Sequence, residues 1–279
     1  MKRLAALAAP FLLSAAAAAA ASDRASEVPE SVPQGALVVA RTEPGNTVTL
    51  GERPLRVSDD GRFVFGVGRD QTGPLRLTVH WFDGATETVN IAVAPREWPL
   101  ERVDGVPPET VEPPPEIAAR IAREQTLVAA ARTLDDPRTD FAHGFTWPVE
   151  GRISGRFGHQ RVYNGVPKSP HSGLDIAAPE GTPVKAPAAG IVTFAAPDLY
   201  LTGGTVLLDH GHGVSSNFLH LSRIDVHVGQ RVEQGQVIGA VGATGRASGP
   251  HLHWGMNWFE VRVDPLRLVT PPQDDVAGD

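Results

Sequence analysis

His251-Leu252-His253-Trp254-Gly255-Met256-Asn257 reads as a β-strand, in which residues two apart project from the same face. His251 and His253 then point one way and Leu252 the other. Both rings can reach one ion, or one can bind it while its neighbour acts on the ligated water. Spacing alone does not make a site: His210-Gly211-His212 repeats it and is read as a structural turn. Further short β-type runs surround the strand, at Gly190–Phe194, Thr205–Asp209, Gly213–His220 and Val237–Val241, in a chain rich in glycine from Trp147 onward. The stretch Val226–Gly239 reads as hairpin geometry, with glycines where the backbone needs positive φ. These runs imply an all-β C-terminal unit.

A second segment, His171-Ser172-Gly173-Leu174-Asp175, offers a histidine and a carboxylate four residues apart. Two ligands of one zinc sit only a few ångströms apart, whereas four extended residues span about 13 Å. The segment must therefore turn. Gly173 permits the turn, and Pro170 and Pro179 discourage a regular helix. A local ion pair beside a surface histidine is the plainer alternative for this segment taken alone. Taken with the strand, two His and one Asp form a three-ligand set that leaves the fourth tetrahedral position for water, the pattern of a catalytic rather than a structural zinc site. No H-E-x-x-H occurs, so a thermolysin-type arrangement is excluded, and the lack of cysteine excludes disulfides, thiolate catalysis and Cys-based zinc sites.

Three motifs in order, Pro170-His171-Ser172-Gly173-Leu174-Asp175-Ile176, Phe218-Leu219-His220-Leu221-Ser222 and Gly249-Pro250-His251-Leu252-His253-Trp254, resemble the LytM/lysostaphin-type zinc peptidases of family M23. Trp147-Pro148-Val149, Ile153-Ser154-Gly155-Arg156-Phe157-Gly158 and Ala178-Pro179-Glu180-Gly181-Thr182-Pro183-Val184 fit the same pattern, so the resemblance covers roughly residues 147–266. It implies His171, Asp175 and His253 as zinc ligands and His220 and His251 as non-ligand catalytic histidines, with no motif position substituted. It also implies a LytM-type antiparallel β catalytic domain acting on peptidoglycan. The loop Gly158–Ser169 precedes the first ligand, and Arg161, Tyr163 and Asn164 within it are expected to line the cleft, with Arg161 able to pair with a substrate carboxylate.

Upstream the pattern changes. Residues 1–21 read as an export signal: Lys2 and Arg3, an apolar core from Leu4 to Leu13, then an alanine-rich tail with A-x-A sites. A polar, flexible leader is expected at 22–34. Residues 35–106 carry short β-type runs between the turn signals Pro44-Gly45-Asn46, Asp59-Asp60-Gly61 and Asp83-Gly84, and read as a small β-sandwich-like accessory domain without a catalytic grouping. A proline-rich joint and a helix occupy 107–144, with Ile117, Ile121, Leu127, Val128 and Ala131 at helical spacing and Asp135-Asp136-Pro137 as the stop. The peptidase unit is expected over 145–270 and a flexible tail over 271–279.

Net charge is −7, which argues against nucleic acid as a partner. Without cysteine no lipoprotein anchor can form, and no apolar run beyond the signal approaches the roughly 20 residues of a membrane span. The expectation is an exported, periplasmic zinc endopeptidase whose substrate is peptidoglycan, cutting D-Ala–meso-diaminopimelate cross-links. Glycyl-glycine cleavage, or a non-cutting domain that docks on the wall and activates an amidase, stands as the alternative, and cell-wall enzymes are potential partners.

Overall fold

The computed structural model describes residues 26–105 and 108–270. The expected export signal, the first residues of the leader, Pro107 of the joint and the tail lie outside the described residues. Among the described residues no helix is long and apolar enough to cross a membrane.

The N-terminal strands are β1 (Ser31–Pro33), β2 (Leu37–Arg41), β3 (Thr47–Leu50), β4 (Arg53–Leu55), β5 (Arg62–Gly66), β6 (Leu75–His80), β7 (Thr86–Ala94) and β8 (Leu100–Val103). Five of them form a sheet in the order β1-β7-β6-β3-β4, and β2 pairs with β5 as a second layer. Alternation builds the core between them: β2 buries Val38 and Ala40, and β6 buries Leu77 and Val79. Strand β5 differs because Phe63, Val64 and Phe65 are all buried. Gly66, on the same side as Val64, lies so close to Trp258 and Val263 that a Cβ there would meet them at 2.9 and 3.1 Å. One face of β5 thus serves the sandwich and the other the C-terminal unit, and a single hydrophobic core runs through both.

Two expectations change here. The leader is not free from residue 26 onward: Glu27 bridges Arg41, and β1 adds to β7 in parallel with Val32 buried. Its prolines lack an N–H for a ladder, which an outermost strand does not need on its open side. The accessory unit also does not end at a free joint, because β8 leaves it to pair with the peptidase unit.

After a single-turn α1 (Pro108–Val111), α2 (Pro115–Ala130) begins with proline in its first turn and Glu116 near its positive end. It stops at Ala130, earlier than Asp135-Asp136-Pro137 implied. No residue of α2 is buried. Polar contacts hold it instead: Glu124 accepts a 2.8 Å bond from the Tyr200 amide, and Arg120 donates to the Asp198 carbonyl at 2.7 Å.

The C-terminal strands are β9 (Arg152–Gly155), β10 (Gln160–Tyr163), β11 (Val166–Pro167), β12 (Leu174–Ala177), β13 (Pro183–Lys185), β14 (Gly190–Leu199), β15 (Gly203–Asp209), β16 (Val214–Leu221), β17 (Arg223–Ile224), β18 (Arg231–Val232), β19 (Val237–Ala240), β20 (His251–Trp258) and β21 (Val261–Val263). The main sheet runs β18-β14-β15-β16-β20-β12-β9, with β21 also on β20, and β13-β19-β17 forms a smaller sheet. Leu252, Trp254 and Met256 point from β20 into the core, opposite the histidine face. The Val226–Gly239 hairpin does not form. Its two arms separate, β18 pairing with β14 and β19 with β13 and β17. Gly229 and Gly235 do turn at positive φ, 87° and 82°, so the turn chemistry was legible while the pairing partner was not.

Candidate metal centre

Strands β12 and β20 are antiparallel with Asp175 opposite His253 and Ala177 opposite His251. Directly opposed residues share a face, so the carboxylate meets the histidine row of β20. His171 lies on the approach to β12 and reaches the same point because the chain turns at Gly173. A Cβ at Gly173 would collide with the Trp254 carbonyl and come within 2.8 Å of His253 Nε2. Only glycine lets this segment press against β20.

The three side chains converge. His171 Nε2 lies 3.0 Å from Asp175 Oδ1 and 3.0 Å from His253 Nδ1, and His253 Nδ1 lies 2.8 Å from Asp175 Oδ1. All three residues are buried. A tetrahedral zinc bound at about 2.0–2.2 Å keeps its ligand atoms about 3.4 Å apart, so each edge of the triangle needs to open by only about 0.4–0.6 Å around the ion. The donor chemistry also fits. The Arg156 carbonyl accepts from His171 Nδ1 at 3.0 Å, which assigns the proton to Nδ1 and leaves Nε2 a bare lone pair. Burial pushes His253 down to about 4 against the pull of Asp175, so this ring is neutral at pH 7. Acceptor atoms crowded at 3 Å with too few protons among them repel one another unless a cation sits between them.

His220 and His251 flank this triangle. Their ring centroids are 4.8 Å apart, and His251 Nε2 is 3.8 Å from Asp175 Oδ1. Strand alternation would send His220 to the core beside Phe218. Its backbone instead takes φ 64°, a conformation rare outside glycine, which turns the ring to the histidine face. Its Nδ1 is 2.8 Å from the Thr244 carbonyl, and His251 Nδ1 is 2.8 Å from the Gly249 carbonyl. Each ring therefore keeps its proton on Nδ1 and presents Nε2 to the site. Burial first, then the charge of His253, pushes His220 down to about 4.

The segment 158–169 is largely a β-hairpin rather than a loop: β10 pairs with β11 through Asn164 and Gly165, both at positive φ as a two-residue turn requires. Arg161 does not wait for a substrate carboxylate. Its Nη2 donates to Asp175 Oδ2 at 2.8 Å, its Nε to Glu101 at 3.1 Å and its Nη1 to the Tyr163 hydroxyl at 3.2 Å. Burial would lower its pKa, but Asp175 and Glu101 more than compensate and keep it charged. Glu101 reaches it because β8 lies parallel to β10 with Glu101 opposite Arg161. Gly155 makes room, since a Cβ there would stand 2.5 Å from Asp175 Oδ2 and 2.9 Å from Arg161 Nη2. Glu101, Thr244 and Arg156 escaped the sequence reading. Two act through backbone carbonyls, which any residue supplies, and Glu101 lies 60 residues from its partner in an otherwise unmarked stretch. Tyr163 is buried beneath this cluster, and Asn164 is exposed at the hairpin tip.

Residues 169–265 match peptidase family M23. A peptidase M23 of Pseudomonas aeruginosa, known from a crystal structure, is 34% identical, is aligned over 88% of this chain and 96% of its own, and superposes with a TM-score of 0.65. Peptidoglycan DD-endopeptidase ShyA of Vibrio cholerae is 41% identical over 111 residues, 39% of this chain and 26% of its own. Cell division protein DipM of Caulobacter vibrioides is 32% identical over 161 residues, 58% of this chain and 25% of its own. The chain thus spans about a quarter of the length of these curated relatives.

Proposed function

This chain belongs to peptidase family M23, and we propose that it is a zinc-dependent endopeptidase that hydrolyses peptide cross-links of bacterial peptidoglycan, with the D-Ala–meso-diaminopimelate bond as its target. The observation that carries this reading is the convergence of His171, Asp175 and His253 within 3.0 Å of one another, with His220 and His251 beside them. A complete ligand set favours an enzyme over a docking protein. The similarity to a peptidoglycan DD-endopeptidase supports the choice of bond. The substrate places the site of action outside the cytoplasm, consistent with the export signal read at 1–21.

When bound, zinc supplies a Lewis acid that makes water nucleophilic near neutral pH and polarises the scissile carbonyl. The chain's own residues hold the donors and move the proton. His251, with Nδ1–H donated to the Gly249 carbonyl, offers Nε2 to take the proton of the attacking water and hand it to the leaving amine. A donor role for His220 toward the oxyanion would need a proton on Nε2. The Thr244 carbonyl holds the ring proton on Nδ1 and burial keeps the ring neutral, so at pH 7 its Nε2 accepts a hydrogen bond and orients the water. Arg161 fixes the second oxygen of Asp175.

Digestion of purified peptidoglycan with masses recorded tests the reading. New termini at the cross-link, abolished by chelation and restored by zinc, are the expected result; intact sacculi would refute it. His220→Ala and His251→Ala should retain zinc yet lose about 10²–10⁴-fold in turnover. Loss of zinc from both would overturn their roles.

A further inference from the structure

The histidine face of the main sheet continues away from the metal centre. Along β20 it passes from His253 through Gly255 to Asn257, and α2 stands over it. Between helix and sheet lies a cavity of about 470 Å³ whose lining includes Ser172 and Leu219 at one end and Arg132 and Arg262 at the other. Ser172 Oγ is 3.4 Å from His253 Nε2, and Leu219 is the β16 residue opposite His253, so the near end opens at the metal ligands. Gly255 leaves the floor flat: a Cβ there would strike the Asn217 amide at 2.5 Å.

The far end is built differently. Arg262 on β21 is directly opposite Asn257 and shares its face, while Arg132 follows the C-terminus of α2. Among the described residues neither guanidinium has an ion-pair partner. The acids nearby are otherwise engaged: Glu124 with Arg120 and the Tyr200 amide, Glu260 with Arg53, and Asp264 with Arg96. Arg132 Nε is shielded from solvent without a hydrogen bond. Burial pushes Arg132 down to about 10, with repulsion from Arg262 adding to it. Two arginines at one end of the cavity, in a chain of net charge −7, form a place short of a negative charge.

We propose that Arg132 and Arg262 form a subsite that binds a free carboxylate of the peptide lying in this groove, and so select acidic peptides by their charge at a fixed distance from the cut. The distance follows from the sheet. His253 to Asn257 is four residues of extended chain, about 13 Å, and a substrate strand advances by the same amount per residue. The selected carboxylate therefore sits about three to four residues from the scissile bond. This rests on the endopeptidase reading for the peptide, but not for the anion site itself. A carboxylate suits the fork geometry of guanidinium groups, and displacement of their mutual repulsion adds to the gain.

The test measures binding rather than turnover. Full-length, zinc-loaded protein carrying His251→Ala would be titrated calorimetrically with a cross-linked stem peptide and with the same peptide amidated at its carboxyl groups. The free acid should bind about tenfold tighter. Arg132→Gln or Arg262→Gln should shrink that preference to within about twofold, and Arg132→Lys should keep more of it than Arg132→Gln. Equal affinity for acid and amide, or a preference that survives R132Q/R262Q together, overturns the proposal. Thermal melting of each variant separates loss of the subsite from loss of the fold. If the acid preference holds but the native chain cuts neither peptide, the subsite stands and the endopeptidase reading falls. If both peptides are cut with equal KM, the reading stands and the subsite falls.

Discussion

His210-Gly211-His212, in the turn between β15 and β16, and His251-Leu252-His253, on β20, have the same spacing, and the structure gives them opposite fates. In the first, Gly211 and His212 turn at positive φ, 89° and 50°, which rules out a common strand face. His210 is sealed in with both nitrogens satisfied, Nδ1 2.7 Å from the Ala189 carbonyl and Nε2 2.7 Å from the Ser216 hydroxyl. In the second, the backbone is extended, the neighbouring strand sets Asp175 opposite His253, and His220 is swung in beside His251. The lesson is physical. Two imidazoles become a site when they share a strand face and a facing strand supplies a carboxylate; otherwise the same rings are core.

The largest contrast should appear in the metal. His253→Ala removes one of the three proposed ligands, and zinc content by mass spectrometry should fall below about a tenth of an equivalent with hydrolysis at background. His212→Asn, which tolerates the left-handed backbone, should keep one zinc and activity within about twofold. Zinc loss from the second variant would erase the distinction between the pairs.

A smaller difference lies in acid stability. Burial pushes His210 down to about 4 from an unfolded value near 6.5. Between those values the unfolded chain binds more protons than the native one, so stability falls as pH falls. From pH 7.5 to pH 4 this group alone should remove about 3 kcal/mol. Urea midpoints should show the slope, and His210→Gln should flatten it; an unchanged slope would place the titration elsewhere.

The smallest effect concerns the support of Asp175. Arg161→Gln should weaken zinc affinity by about 10–100-fold without changing the ligand set. Competition with a zinc chelator measures this directly. A change confined to the KM for peptide would instead return Arg161 to the substrate role first read from its sequence position.

Much of this was visible in the chain itself. The approach of His171 and Asp175 to the strand at 251, and the turn at Gly173 that allows it, follow from side-chain type and from the period of two in a strand. What stayed hidden depended on partners far away or on backbone alone. The arms of 226–239 found other strands because hydrophobic pattern identifies a strand without naming its neighbour. The brace on Arg161 came from Glu101, a residue nothing local distinguishes. The turn of His220 is a backbone event written in no side chain.

The pairing of β8 with β10 bears on how such enzymes can be recombined. A graft that began at residue 145, where the peptidase pattern starts, would carry His171, Asp175, His220, His251 and His253 yet leave behind Glu101. Arg161 would then answer to one carboxylate instead of two. Modules of this chain are consequently not interchangeable at the seam their sequences suggest, and a swapped front half must bring its own acid to that position.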